Sequence, residues 1–239
     1  MVLWLPDSRL ETLELLELGR KPVGPVKVDW EGDMCKSLSR LSLNNDYDMV
    51  SDTGVTVEVG TFTPEGEAVE SSSPSDYRDH AWDNLIGATS ATITFKMYLK
   101  SFRDWGTFAR QQYYSDSYTV QIQLHQQKIY LYFRNNSTNY AYSPDILSLN
   151  TTFTLSVVYD GSAVSNVDKL KLYIDGKEVS LTYSGDVPTS LPNWGNVIPW
   201  RTGESFDGGI IAEMCHDLML TNDEIFELHQ DLYQSLIPA

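Results

Sequence analysis

Three runs decide the fold: Thr151-Thr-Phe-Thr-Leu-Ser-Val-Val-Tyr-Asp-Gly161, Lys169-Leu-Lys-Leu-Tyr-Ile-Asp-Gly-Lys-Glu-Val179 and Phe206-Asp-Gly-Gly-Ile210. In the first, Phe153, Leu155 and Val157 alternate with Thr152, Thr154 and Ser156, the two-residue period of a strand with one buried face. In the second, Leu170, Leu172 and Ile174 alternate with Lys169, Lys171 and Tyr173, which predicts an apolar inner face and an outer face in water. Asp175-Gly176 closes it with the residue types a type I′ turn selects, since both central positions need positive φ. Strand, hairpin and returning strand together predict antiparallel sheet.

Outward from this centre, Ala91-Thr-Ile-Thr-Phe-Lys-Met-Tyr-Leu-Lys100 places Ile93, Phe95, Met97 and Leu99 on one strand face. Tyr118–Leu124 and Lys128–Arg134 read as two more strands joined at Gln126-Gln127, and Val55–Val59 as another. Val26–Leu43 carries short alternating runs on either side of Gly32, and residues 186–200, rich in Pro, Asn and Gly, read as a long loop. Thr221-Asn-Asp-Glu224 is a capping box, opening a C-terminal helix whose buried stripe is Ile225, Leu228 and Leu232.

At the other end, Ser8 and Glu11 stand at capping-box spacing and Gly19 supplies a stop. Leu10, Leu13, Leu16 and Leu18 then need something to pack on, because so short a helix is marginal alone. Two outcomes stay open, docking on its own sandwich or on another subunit. The stiff Gly/Pro-containing stretch after Gly19 favours the second. Residues 1–25 are therefore read as a helix and linker forming an attachment arm, and residues 26–239 as one domain.

A chain of 239 residues with 41% hydrophobic content supports one sizeable core. A formal net charge of −16 argues against nucleic acid and anionic membrane surfaces, which call for basic groups. No apolar run is long enough to cross a bilayer, so no membrane insertion is expected. The first residues lack the basic head and apolar run of a secretory leader. Cys35 and Cys215 are read as reduced thiols. The sequons at Asn135, Asn136 and Asn150 are read as loop chemistry.

Tyr159-Asp160-Gly161 followed by Leu172-Tyr-Ile-Asp-Gly176, then Phe206-Asp-Gly-Gly-Ile210 and Leu220-Thr-Asn-Asp-Glu-Ile225, resemble the laminin-G-like branch of the concanavalin A-like jelly-roll family. Ala91–Lys100 is similar to the family's Ser-Ile-Ser-Phe-Trp strand, with Lys96 in the place of Trp. Gly66, Ala68 and Tyr77 resemble its Gly-x-Ala segment and following aromatic, and Gly24–Trp30 resembles linkers of laminin-G-like proteins encoded by tailed bacteriophages. The resemblance implies an all-β antiparallel sandwich of the jelly-roll type, here with a short N-terminal helix and a C-terminal helix. It implies no single function, because the architecture carries lectins, glycosidases, adhesion modules and virion proteins.

The chemistry-bearing residues are few. Glu65, Glu67 and Glu70 approach the paired-carboxylate pattern of retaining glycosidases, but Pro64 and a serine run flank them, which predicts a solvated loop and no catalysis. His80, His125, His216 and His229 lack zinc-ligand spacing. Asp48, Asp52, Asp207 and Asp217 are candidate calcium ligands. However, the acidic pair that the resemblance would supply falls on Ile211 and Ala212, so no cofactor is expected. Trp105, Tyr113, Tyr114, Tyr140, Tyr142, Trp194 and Trp200 fall in or near predicted loops, where they either cover the core or meet sugars or proteins.

The leading expectation is a non-enzymatic structural or accessory protein of a tailed-phage particle, made in the host cytoplasm and incorporated into the virion. It would dock on virion subunits through Leu10, Leu13 and Leu16, as a homo-oligomer or through lattice contacts. The alternative is a carbohydrate-binding module that holds a glycan with Trp105, Tyr140, Trp194 and Trp200.

Overall fold

The computed structural model describes residues 26–28, 38–42, 59–63, 66–71, 78–80, 85–113, 117–133, 139–193, 200–203, 206–232 and 236–238. Leu10, Leu13, Leu16, Trp194, Glu65 and most of residues 24–30 lie outside them, as does Cys35. Strands are numbered here in chain order. Among the described residues one sheet runs β14 (Thr182–Ser184), β10 (Tyr140–Tyr142), β9 (Lys128–Phe133), β8 (Ser117–His125), β7 (Gly106–Tyr113), β15 (Trp200–Thr202), β5 (Arg78–His80). The other runs β13 (Lys177–Val179), β12 (Leu170–Ile174), β11 (Thr151–Asp160), β6 (Ser90–Ser101), β16 (Asp207–His216), β4 (Gly66–Ser71), β3 (Val59–Thr63). β2 (Leu38–Ser42) also pairs with β16, and β1 (Val26–Val28) pairs with β17 (Leu236–Pro238). Every pairing is antiparallel.

The two sheets bury between them the residues the alternation selects. Ile93, Phe95, Met97 and Leu99 on β6 and Leu155 and Val157 on β11 share one core with Ile122 and Leu124 on β8 and Ile129, Leu131 and Phe133 on β9. Phe95 and Phe108 meet edge to face at 5.6 Å. The predicted hairpin forms at the expected turn, with φ of 50° at Asp175 and 72° at Gly176. A Cβ at Gly176 would also come within 3.1 Å of His229 Cβ, so this turn needs glycine for space as well as for φ.

One expectation fails for a clear physical reason. The polar face of β11 and β12 is not in water: Thr154, Ser156 and Tyr173 are buried, as are Thr92 and Thr94 on β6. The C-terminal helix covers this side. Two helices are described, α1 (Asn166–Lys169) and α2 (Asn222–Gln230). Ile225 and Leu228 of α2 are buried, as are Leu220 before it and Leu232 after it. The covered hydroxyls keep partners: Thr94 bonds Ser156 at 2.9 Å, Thr92 donates to the Leu218 carbonyl at 2.9 Å, and Tyr173 donates to Asn222 Oδ1 at 2.6 Å. The predicted capping box is present, with Thr221 and Glu224 exchanging hydrogen bonds. Lys169, expected in water, is also buried and donates from Nζ to the Val187 carbonyl at 3.0 Å.

Two further corrections concern segments whose composition predicts loops. Gly66–Ser71 is strand β4, paired with both β3 and β16, so the serine-flanked acidic stretch belongs to the sheet. Trp200 opens β15, and its alternation with Thr202 turns both residues inward.

Candidate functional site

The outer face of the seven-stranded sheet differs from that of its partner. On β9, Ile129, Leu131 and Phe133 point into the core, so Tyr130 and Tyr132 point outward; on β10, Ala141 points in and Tyr140 and Tyr142 point out. Antiparallel register sets Tyr132 opposite Tyr140 and Tyr130 opposite Tyr142. The four phenols therefore form a block, with Tyr130 and Tyr142 stacked at 5.3 Å and 19°, Tyr130 and Tyr132 at 6.3 Å, and Tyr132 and Tyr140 tilted at 5.6 Å. Such pairs contribute about 0.5–1.5 kcal/mol each beyond burial, which holds the rings in fixed orientations.

Two turns extend the block. Gln126 takes positive φ between β8 and β9, which brings His125 opposite Lys128. Trp105, at φ 60°, lays its ring on His125 at 4.1 Å and 14° and tilts against Tyr130 at 5.1 Å. Asp104 Oδ1 lies 3.5 Å from His125 Nδ1. Lys128 Nζ sits 5.6 Å over the Tyr142 ring and 3.8 Å from Asp145. Trp105 is nevertheless 48% exposed, so its indole is held in place while remaining open to solvent.

Hydrogen-bonding groups flank the rings on the same face. Gln123 stands opposite Tyr130, and Gln121 opposite Tyr132. Both amides donate from Nε2 to Thr107 Oγ1, at 3.0 and 3.1 Å, which fixes their orientation; Gln121 and Thr107 are buried, and Gln123 is half-buried. Beside β10 a cavity of about 10 Å³, room for one water, lies between the sheets and is lined by Leu131, Phe133, Ala141, Leu170 and Val187 among others.

The structure thus brings Trp105 and Tyr140 onto one face, though Tyr140 lies within a strand. Trp200 does not join them. It is wholly buried, its indole N–H donates to Glu213 Oε1 across the gap between the sheets, and Cys215 Sγ lies 3.8 Å from the same oxygen. An indole in a core needs such an acceptor, so Trp200 ties the sheets together and is not a ligand contact. Trp194 lies outside the described residues. Sequence reasoning misses Tyr130, Tyr132 and His125 as members of the site. The signal is present in Lys128-Ile-Tyr-Leu-Tyr-Phe133, where aromatic residues occupy the outward positions of an alternating strand.

Other chemistries find less. Glu213 lies between the sheets, away from any surface groove. Among the described residues no three His, Cys, Asp or Glu side chains come together to hold a metal ion, and Asp207 accepts a hydrogen bond from Ser101. No described helix is long and apolar enough to cross a membrane.

No protein-family model matches the chain, and neither does any curated protein sequence. Among solved structures it is similar to Trypanosoma rangeli sialidase, at 10% identity and TM-score 0.57, over 83% of this chain and 33% of that one. The same enzyme in complex with 2,3-difluoro-KDN gives 9% identity and TM-score 0.55 over 95% of this chain and 39% of that one. A Ruminococcus gnavus sialidase CBM40 domain bound to α2,3-sialyllactose gives 11% identity and TM-score 0.48, over 60% and 83% respectively. The chain spans about a third of the length of the first of these proteins. At such identities the likeness shows the fold alone, a concanavalin A-like jelly-roll sandwich.

Proposed function

We propose that this chain is a non-catalytic carbohydrate-binding sandwich that holds a sugar chain against the outer face of its seven-stranded sheet. The observation that carries the reading is the block of half-buried Tyr130, Tyr140 and Tyr142 with Trp105 and His125, packed ring against ring around the buried Tyr132 on the outer face of the sheet. Aromatic planes supply flat apolar surface for the C–H faces of a pyranose, and phenolic hydroxyls supply polar tips for its hydroxyls. Half-buried Gln123, its amide oriented by donation to the buried Thr107, adds a placed polar group of the kind a specific site needs. Because the rings are already locked against one another, little side-chain entropy is lost on binding. A glycan-array screen of the purified chain tests this: defined glycans should be retained, and an array with no retained glycan contradicts it.

A second reading concerns residues 1–25, as the docking arm of a virion protein. Supporting it are the Leu10, Leu13 and Leu16 spacing and the pairing of Val26–Val28 with Leu236–Pro238, which anchors the point where the arm begins. Deleting residues 1–25 should leave the sandwich folded and reduce the full chain's assembly to monomer in sedimentation. An unchanged mass, or loss of folding, contradicts the arm.

A further inference from the structure

The most exposed end of the tyrosine block is a plate of rings. Trp105, Tyr130 and Tyr142 follow one another at centroid separations of 5.1 and 5.3 Å. Trp105 is 48% exposed and both tyrosines are half-buried. His125 stacks on the indole at 4.1 Å with its Nδ1 shut from solvent, so it serves as a backing for Trp105. The indole and the Tyr130 phenol meet at 59°, which presents the edge of one ring and the face of the other to the same small group.

Two groups beside this plate have hydrogen-bonding capacity to spare. Half-buried Gln123 stands directly opposite Tyr130. Its Nε2 is committed to Thr107 Oγ1 at 3.0 Å, whereas its Oε1 has no partner among the described residues and reaches solvent. The Trp105 indole N–H likewise has no partner among the described residues. The plate therefore offers one acceptor, one donor and an apolar surface. The nearby charges are already matched: Lys128 has Asp145 at 3.8 Å, and His125 has Asp104 at 3.5 Å. That balance suits a neutral ligand.

An acetamido group is the complement of that set, since its N–H donates, its carbonyl accepts and its methyl is apolar. A hydroxyl in the same place brings no methyl to the rings. We propose that the ligand is a neutral sugar chain containing an N-acetylated amino sugar. Its acetamido N–H donates to Gln123 Oε1, its carbonyl accepts from the Trp105 indole N–H, and its methyl packs on the Tyr130 ring. This rests on the carbohydrate reading above and adds the class of sugar, with Gln123 as the residue that selects it.

The test is a calorimetric titration of the full chain with triacetylchitotriose and with cellotriose, which carries hydroxyls where the first sugar carries acetamido groups. The acetylated trimer should bind roughly tenfold or more tightly. Gln123→Leu, which removes the acceptor, should cut that preference by about threefold or more, whereas Gln123→Glu, which keeps an acceptor, should retain it. Equal affinity of the unaltered chain for the two trimers overturns the acetamido assignment and leaves the carbohydrate reading standing. Binding of neither trimer overturns the assignment too, and an array that also retains no glycan overturns both. Full preference retained in Gln123→Leu overturns the selecting role of Gln123 and the proposal with it. The comparison of the two trimers on the unaltered chain decides the matter even if a variant fails to fold.

Discussion

The outer faces of the two sheets have been treated in opposite ways. The eight-stranded sheet turns outward threonines, a serine and Tyr173, and the chain's own helix α2 closes over them, leaving the hydroxyls buried and paired. The seven-stranded sheet turns outward four tyrosines, with a tryptophan and a histidine at their side, and among the described residues no helix lies on it. A face meant only to be dry is covered with small groups and sealed. A face carrying locked, amphipathic rings, with Trp105 exposed and Tyr130, Tyr140 and Tyr142 half-buried, has the composition of a contact surface. The difference supports the proposed carbohydrate reading of the second sheet without appeal to any relative.

The largest expected effect falls on the sealed face. Leu228, on the inner side of α2, is fully buried, so Leu228→Ala should cost about 2–5 kcal/mol, seen as a lowered midpoint in denaturant, with glycan binding retained at temperatures where the chain stays folded. On the outer tyrosine face binding is what should change. Tyr130 touches Trp105, His125, Tyr132, Tyr140 and Tyr142, and Tyr130→Ala should weaken glycan binding about tenfold in a chain that is destabilised but still folded, as thermal unfolding run beside the titration checks. Replacing the capping-box acid by Glu224→Ala should cost about 1 kcal/mol, measured by thermal unfolding, and leave ligand affinity unchanged.

The smallest effect is a slope at high pH. Burial first, and then the nearby negative charge of Glu178, push the Tyr173 phenol from 10.0 up to about 12. Tyr183, whose hydroxyl donates to the Leu170 carbonyl at 2.7 Å, is likewise pushed to about 12, mainly by burial. Between pH 10 and 12 the unfolded chain has lost protons that the folded chain keeps. The contribution of these groups is therefore complete below pH 10 and is lost as pH rises toward 12. Tyr173→Phe should flatten part of that decline in unfolding curves taken across the window.

How much of this is legible in the sequence follows from which forces act locally. Two-residue alternation and the Asp175-Gly176 turn are set by neighbours in sequence, so the central strands, the hairpin and the capped C-terminal helix can be read directly. Where α2 comes to rest cannot, because its apolar stripe says only that it packs. The burial of Thr154, Ser156 and Tyr173 is therefore invisible at that level. Trp200 misleads for a related reason: a tryptophan following a Pro- and Asn-rich stretch reads as a loop residue until Glu213, a distant residue on the other sheet, is seen to accept its N–H. Trp105 and Tyr140 stand out singly. What joins them is the register of β9 against β10, a long-range property that sets Tyr130 and Tyr132 in the same block. The acidic stretch at Glu67–Glu70 reads as a loop from its flanking residues, whereas pairing with β16 makes it a strand.

The most direct test of the central claim is to titrate a glycan retained on the array into the unaltered chain and into a Tyr130→Ala/Tyr142→Ala chain, with thermal melts of both run in parallel. The account predicts that the double variant melts well above the titration temperature and loses the glycan. A folded double variant that binds with undiminished affinity would contradict it, because the ligand would then lie somewhere other than the open tyrosine face.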